Sequence, residues 1–478
     1  MGESKALTAG IGYTIGNLLI KGIVFFSLPI FTRILSPEDY GIVNTYTAYN
    51  AIFCMVLGLS LHTSFRAAKL KFAGEGELDR YTSSLLPIYL IGIVIGIFFL
   101  KKISVEFALF QGLSSDLLIY LLVIDAAFTG LLHLYNARIS LDYQYKKYLW
   151  MSLFLTSASM VLSVFFILFP FSDQRYMGRI WGGFLPLLCL ICYIVYTLIK
   201  KAPAIPNYRF WRFGIFYSLP LIPHGLALVL MGQCDRIMIQ HFNGAYDVGI
   251  YSLAANVSII LLVISQSLDS SWGVWFFEKM SHQRIEDIYH KSSEYIALFT
   301  AVGVLLIAAA PDIIRIMSSG EYWAAKDVVI VLLWGNYFSF LYLSIVHYEY
   351  FYNKTYLVLI GTVLSATLNV GLNYYTIPLY GYMAAAYTTL VSYVLNFLFH
   401  YVIIFFLYKH RPLNVYTTFL YIFYTAIAGS ISLLYQNEYV LRYGIVMIIL
   451  LLVYRMNYIS VNTKWKKILM RYKNRGVQ

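Results

Sequence analysis

Lys21 and Asp125 each fall near the middle of a long apolar run. An ionised side chain placed there in a membrane costs about 2.5–3.5 kcal/mol on insertion scales. Such a group either lines a water-filled path for a charged cargo or joins a buried pair, and these two residues fit both readings. Lys21 suits an anion that it would meet as a point charge. Asp125 is the candidate for the coupling ion, since buried carboxylates exchange protons nearer neutral pH than exposed ones.

Polar residues recur around these two at helical spacing, so each set occupies one side of its helix. Asn17 goes with Thr14 and Lys21, and Asp125 with Thr129, His133 and Asn136. His224 shares a face with Asp235; Asn256 goes with Ser252, Gln266 and Ser270. Asn369 and Asn373 follow Thr362 and Ser365, and a further helix carries Thr388, Ser392, Asn396 and His400. These faces are expected either to line a substrate cavity or to hydrogen-bond between helices. Arg33, Arg66, Asp235, Arg236 and Asp269 stand near span ends, where charges at the mouths of a cavity and exposure at the interface are expected. His62, His224, His347 and His400 lack metal-ligand spacing, so no metal or other cofactor is expected. Cys189 and Cys192 form a CxxC in mid-span without a second pair and read as small buried membrane residues.

The elements that position these residues are transmembrane helices. Only 12% of the 478 residues are charged and 60% are apolar, too much apolar surface for a water-soluble fold to hide. Fourteen spans are expected. Six lie near 10–33, 41–65, 83–100, 115–135, 149–170 and 179–199, and six more near 213–234, 248–273, 292–315, 326–347, 356–377 and 381–407. The last pair is placed near 415–435 and 439–457. With the N-terminus inside, inner segments carry 25 of the 35 Lys and Arg and outer ones nine, leaving Lys21 within the first span. The positive-inside rule therefore puts both termini in the cytoplasm. It also accounts for the net charge of +12 without nucleic acid.

Three landmarks repeat about 206 residues apart. Asp39-Tyr40-Gly41-Ile42 resembles Asp247-Val248-Gly249-Ile250, Tyr143-Gln144-Tyr145 resembles Tyr348-Glu349-Tyr350, and Tyr176-Met177 resembles Tyr382-Met383. A duplicated six-helix unit follows, with an N-lobe at 1–200 and a C-lobe at 201–408. The two are related by a pseudo-two-fold along the membrane normal, with a cavity between them. Residues 409–478 hold the last two helices and a basic cytoplasmic tail.

The run Phe31-Thr32-Arg33-Ile34-Leu35-Ser36-Pro37-Glu38-Asp39-Tyr40-Gly41 resembles the signature after the first helix of Wzx-type polysaccharide flippases. Ser218–Gly225, Cys234-Asp235-Arg236 and Val248–Ser252 resemble that family's seventh and eighth helices, and Leu379–Ala386 its twelfth. The resemblance implies an all-α multidrug/oligosaccharidyl-lipid/polysaccharide exporter fold in the bacterial inner membrane. It implies a flippase that moves an undecaprenyl-diphosphate-linked oligosaccharide, an O-antigen or capsule repeat unit, to the outer leaflet by alternating access. Membrane lipids, a glycan polymerase and chain-length machinery are the implied partners. Energy would come from a proton gradient, a sodium gradient or the membrane potential, because no Gly-rich phosphate loop for a nucleotide is present.

Sibling transporters, a peptidoglycan lipid-precursor flippase or a multidrug antiporter, are the first rivals. A polytopic glycan polymerase or glycosyltransferase is disfavoured, because the outer connections are short and gather no paired carboxylates. The orientation is checked by labelling single cysteines with an impermeant thiol reagent. Position 173 should label from outside while 206 and 474 do not; the reverse pattern would refute it.

Overall fold

Apolar runs of this length become helices because lipid offers backbone amides no partner outside the chain. The computed structural model describes residues 2–107 and 116–456, so the basic tail beyond Arg455 lies outside the described residues, as do the side chains of Lys5, Lys101 and Lys102. Every regular element among the described residues is helical. The first eight helices are α1 (Gly2–Ile34), α2 (Pro37–Leu57), α3 (Phe65–Lys71), α4 (Glu77–Ser84), α5 (Leu86–Phe107), α6 (Asp116–Ser140), α7 (Tyr145–Leu168) and α8 (Arg175–Lys201). They are followed by α9 (Tyr208–Ser218), α10 (Ile222–Phe242), α11 (Ala245–Ser281), α12 (Ile285–Met317) and α13 (Ala325–Phe351). The chain continues through α14 (Thr355–Tyr380), α15 (Tyr382–Leu407), α16 (Val415–Leu434) and α17 (Tyr439–Met456).

Thirteen helical stretches are long and apolar enough to cross a membrane, and α2 with α3 makes a fourteenth. Each expected span is found, with one difference. The second, expected straight over 41–65, is bent by 50° between α2 and α3, where Leu59 and Ser60 take left-handed φ of 46° and 47°. Hydropathy cannot see this break, because apolar residues continue through it. Between the eighth and ninth spans α11 and α12 run on and leave only three residues between them, with Gln283 at φ 56°.

Local chemistry explains the family-like run at 34–41. Ser36 caps α2 by accepting from the Asp39 amide at 3.1 Å, Pro37 begins the helix, and Glu38 and Asp39 complement the positive end of its dipole. The duplicated motif then meets its copy. A Cβ on Gly41 would lie 1.8 Å from the Ala245 carbonyl oxygen, and one on Gly249 would lie 1.9 Å from the Pro37 carbonyl oxygen. Positions 37 and 41 thus face 245 and 249 reciprocally, the contact that a two-fold relation between the motifs produces.

The second landmark is corrected. The turn into α7 has Tyr143 at φ 56°, and the turn into α14 has Asn353 at the same φ. Tyr143-Gln144-Tyr145 therefore corresponds to Asn353-Lys354-Thr355, while Tyr348-Glu349-Tyr350 is still inside α13. The abundance of tyrosine made the false match.

The chain forms two compact units. The first comprises Met1–Ser252 with Met317–Tyr322 and Asn373–Tyr382; the second comprises Leu253–Ile316, Trp323–Leu372 and Met383–Gln478. In the first, α2, α6 and α8 enclose a core of Tyr46, Tyr49, Leu121, Leu122, Met177 and Phe184. A second core joins Phe65 and Phe72 of the α3 region to Tyr81, Leu134, Ile194 and Phe210. In the second unit α13 is the most enclosed helix, with Phe340 stacked on Phe299 at 3.6 Å between ring centres. Large apolar side chains such as Phe26, Phe98, Trp150 and Val440 are exposed, as expected where lipid is the solvent.

The glycine crossing generates a sharp expectation. Gly41→Ala or Gly249→Ala forces α2 and α11 apart and should cost about 1–3 kcal/mol, read as a lower melting midpoint in detergent. Gly183→Ala, where nothing lies within 4 Å of the added methyl, should leave that midpoint unchanged.

Candidate functional site

The two mid-span charges lie in the first unit. Gly12 and Gly16 bring α1 against Tyr145 and Leu149 of α7, and Tyr148 donates to Asn17 Oδ1 at 2.7 Å. Lys21 is exposed one turn further along α1. Asp125, on α6, accepts a hydrogen bond from Tyr46 of α2 at 3.0 Å. His133 of its stripe also faces α2, with Cys54 Sγ 3.7 Å from its Nδ1, and its ring meets that of His62, beyond the end of α2, edge-on.

Asp235 and Arg236 depart most from expectation. In place of interfacial exposure they are 4% and 7% exposed, inside the first unit. Asp235 accepts from the Tyr251 hydroxyl and, at 2.6 Å, from Asn373 Nδ2. Arg236 donates to Ser252 Oγ at 3.2 Å, Gln233 Oε1 at 2.7 Å and the Gly232 carbonyl at 3.0 Å. Each charge therefore keeps hydrogen-bond partners, which makes burial tolerable. Sequence position alone missed this because Tyr251 comes from the next helix and Asn373 from α14, 138 residues away.

Within the second unit the polar faces of α14 and α15 meet. Asn369 donates to Thr389 Oγ1 at 3.2 Å and Ser365 to Asn396 Oδ1 at 3.1 Å. Asn369 and, in the first unit, Asn373 are buried and engaged between helices, while Asn256 is half-buried on α11. Asp269 of α11 lies 2.9 Å from His347 Nε2 on α13.

Sequence reasoning noted His400 but not its partner. Glu349 Oε1 of α13 and His400 Nδ1 of α15 are 2.7 Å apart with both side chains fully buried. Gly361 makes room for that ring, since a Cβ there would stand 2.3 Å from His400 Nε2. The signal was present in the lone acid of a tyrosine-rich stretch and the lone histidine of an apolar helix.

Among the remaining candidates, Arg33 and Arg66 are exposed at the ends of their helices. His224 of α10 is half-buried, and its Nδ1 has no hydrogen-bond partner among the described residues. Cys189 and Cys192 are exposed on α8 rather than buried, because that helix turns this face outward. No group of three His, Cys, Asp or Glu side chains among the described residues is placed to hold a metal ion.

The chain matches the family model described as "Polysaccharide biosynthesis protein" over residues 7–276, more than half its length. It is 24% identical over 384 residues to "Lsg locus putative protein 1" of Haemophilus influenzae, covering 77% of this chain and 90% of that protein. Its fold is similar to the structure titled "Lipid II flippase MurJ, inward closed conformation", with a TM-score of 0.70 at 16% identity over 94% of this chain and 99% of that one. It is also similar to an inward-facing multidrug resistance MATE family transporter of the MOP superfamily, with a TM-score of 0.61 at 13% identity over 83% and 99% of the two chains. The family-like signatures at 31–41 and 218–252 fall inside the matched segment, and the one at 379–386 lies beyond it. The chain belongs to the polysaccharide biosynthesis protein family, as a Wzx-type member with the fold of the multidrug/oligosaccharidyl-lipid/polysaccharide exporters.

Proposed function

We propose that the protein flips an undecaprenyl-diphosphate-linked oligosaccharide, an O-antigen or capsule repeat unit, from the inner to the outer leaflet of the bacterial inner membrane. The observation that carries this reading is the family match over 7–276, supported by a fold shared along most of the chain with a lipid II flippase. Two six-helix lobes, 1–200 and 201–408, would alternate in access, with both termini in the cytoplasm. Lys21, Asn17, Asp125, His224, Asn256, Asn369 and Asn373 are the proposed cargo-path residues. Arg33, Arg66 and Asp269 are the proposed charges at its ends, whereas Asp235 and Arg236, expected there, are engaged inside the first unit. The diphosphate carries negative charge through an apolar medium, and a lysine on that path lowers the cost by pairing with it. A peptidoglycan-precursor flippase is the second reading, favoured by the likeness to MurJ.

Asp125 is proposed to carry the coupling proton. On this account Asp125→Asn changes the pH dependence of export; an unchanged rate and profile would remove that role.

Charge should matter more than shape at Lys21. Lys21→Ala and Lys21→Gln should abolish export, seen as build-up of lipid-linked glycan, at normal protein levels, while Lys21→Arg keeps a substantial part of it. If Lys21 serves only to neutralise Asp125, the Lys21→Ala, Asp125→Ala double variant recovers export, and that recovery would refute a role in cargo binding.

A further inference from the structure

The first unit holds a basic cleft that the proposed cargo path does not use. It lies between the end of α3 and one face of α9, open on one side, with a volume of about 770 Å³. Helix α9 presents Arg209, Arg212, Phe213 and Phe216 at i, i+3, i+4 and i+7, one continuous face. Lys71 enters from α3 with its ammonium 4.5 Å above the Phe213 ring. Buried aromatics fix the arrangement: Phe72 meets Phe210 edge-on at 4.9 Å, and Trp211 donates to the Ser84 carbonyl at 2.5 Å.

Helix stability does not explain these cations. Asn207 caps α9, and Arg209 in its first turn opposes its dipole instead of complementing it. Neutralisation does not explain them either. Glu77 Oε1 reaches Arg209 only at 3.9 Å, and the arginine is 65% exposed. Three cations against one acid leave a net charge of about two. Lys71, Arg209 and Arg212 are exposed beside exposed rings, Tyr208 and Phe216, as at a membrane interface. The lysine and arginine count assigns both flanking segments to the cytoplasmic side.

We propose that this cleft is a loading site that captures the diphosphate headgroup of the lipid-linked cargo from the cytoplasmic leaflet. The inference rests on the proposed function for the identity of the cargo. Two negative charges on a diphosphate match the net charge of the cleft better than the single charge of phosphatidylglycerol. Arginine forks suit the phosphoryl oxygens, and the rings suit the apolar face of a sugar.

The test measures lipid binding by native mass spectrometry in nanodiscs of phosphatidylethanolamine. Undecaprenyl diphosphate and phosphatidylglycerol are titrated separately against the wild type and a Lys71→Gln, Arg209→Gln, Arg212→Gln variant. The variant should bind undecaprenyl diphosphate at least about tenfold more weakly, with little change for phosphatidylglycerol. Equal affinity of variant and wild type for both lipids would overturn the site. Loss confined to phosphatidylglycerol would overturn the diphosphate assignment and mark a phospholipid site. Should the triple variant fail to fold, Arg212→Gln alone should weaken diphosphate binding about threefold, while Arg212→Lys retains most of it; no effect of Arg212→Gln would count against the site. Failure of the wild type to bind any lipid diphosphate would instead refute the proposed function, so the two failures are distinguishable.

Discussion

The reciprocal glycine contact between α2 and α11 is the constraint around which the first unit is arranged. With no side chain at Gly41 or Gly249, the N-terminal turns of two helices touch backbone to backbone. Segments distant in sequence then collect beside them. Tyr322 packs on Tyr40 and donates to the Leu35 carbonyl at 3.0 Å, and Thr32 donates to the Met317 carbonyl at 2.6 Å. Asn373 reaches Asp235 in the same unit. The short segments 317–322 and 373–382 belong to this unit for that reason. Small residues give membrane helices this kind of close approach, since lipid supplies no hydrophobic drive for one helix to prefer another.

Interior charge is handled by pairing. Asp235, Arg236, Asp125, Glu349 and His400 each find a polar partner, and the partner comes from a neighbouring helix for all but Arg236, which also uses its own. The same rule places Arg138 of α6 between Asp79 and Asp142 at 2.8 and 2.5 Å. The cleft of Lys71, Arg209 and Arg212 breaks this rule, with one distant carboxylate for three cations. That surplus of exposed positive charge beside exposed aromatics is the feature on which the loading-site proposal rests.

Much of the fold was legible in the sequence because lipid enforces simple rules. Span length reports bilayer thickness, and every expected span is present. The bend at Leu59–Ser60 was not legible, because it depends on backbone φ and leaves hydropathy unchanged. The Gly41 and Gly249 motifs were legible as a repeat but not as a contact, since sequence carries no distance. The site was less visible. Stripe periodicity located the face of α14 that carries Asn369, yet whether such a face meets water or another helix is decided by packing. Asp235 and Arg236 looked exposed because they lie near a span end, and only the fold brings Tyr251 and Asn373 to them. The α9 cleft was invisible, because Lys71 and Arg209 are far apart in the chain.

The central claim is that this chain itself carries a lipid-linked glycan across a bilayer. The most direct measurement uses the purified protein in liposomes with fluorescent undecaprenyl-diphosphate-linked oligosaccharide confined to one leaflet, followed by quenching from the opposite side. The account predicts protein-dependent appearance of the label in the opposite leaflet without ATP, set by an imposed ion gradient or potential. Glycan that stays in its original leaflet under every gradient, with the protein folded, would contradict it.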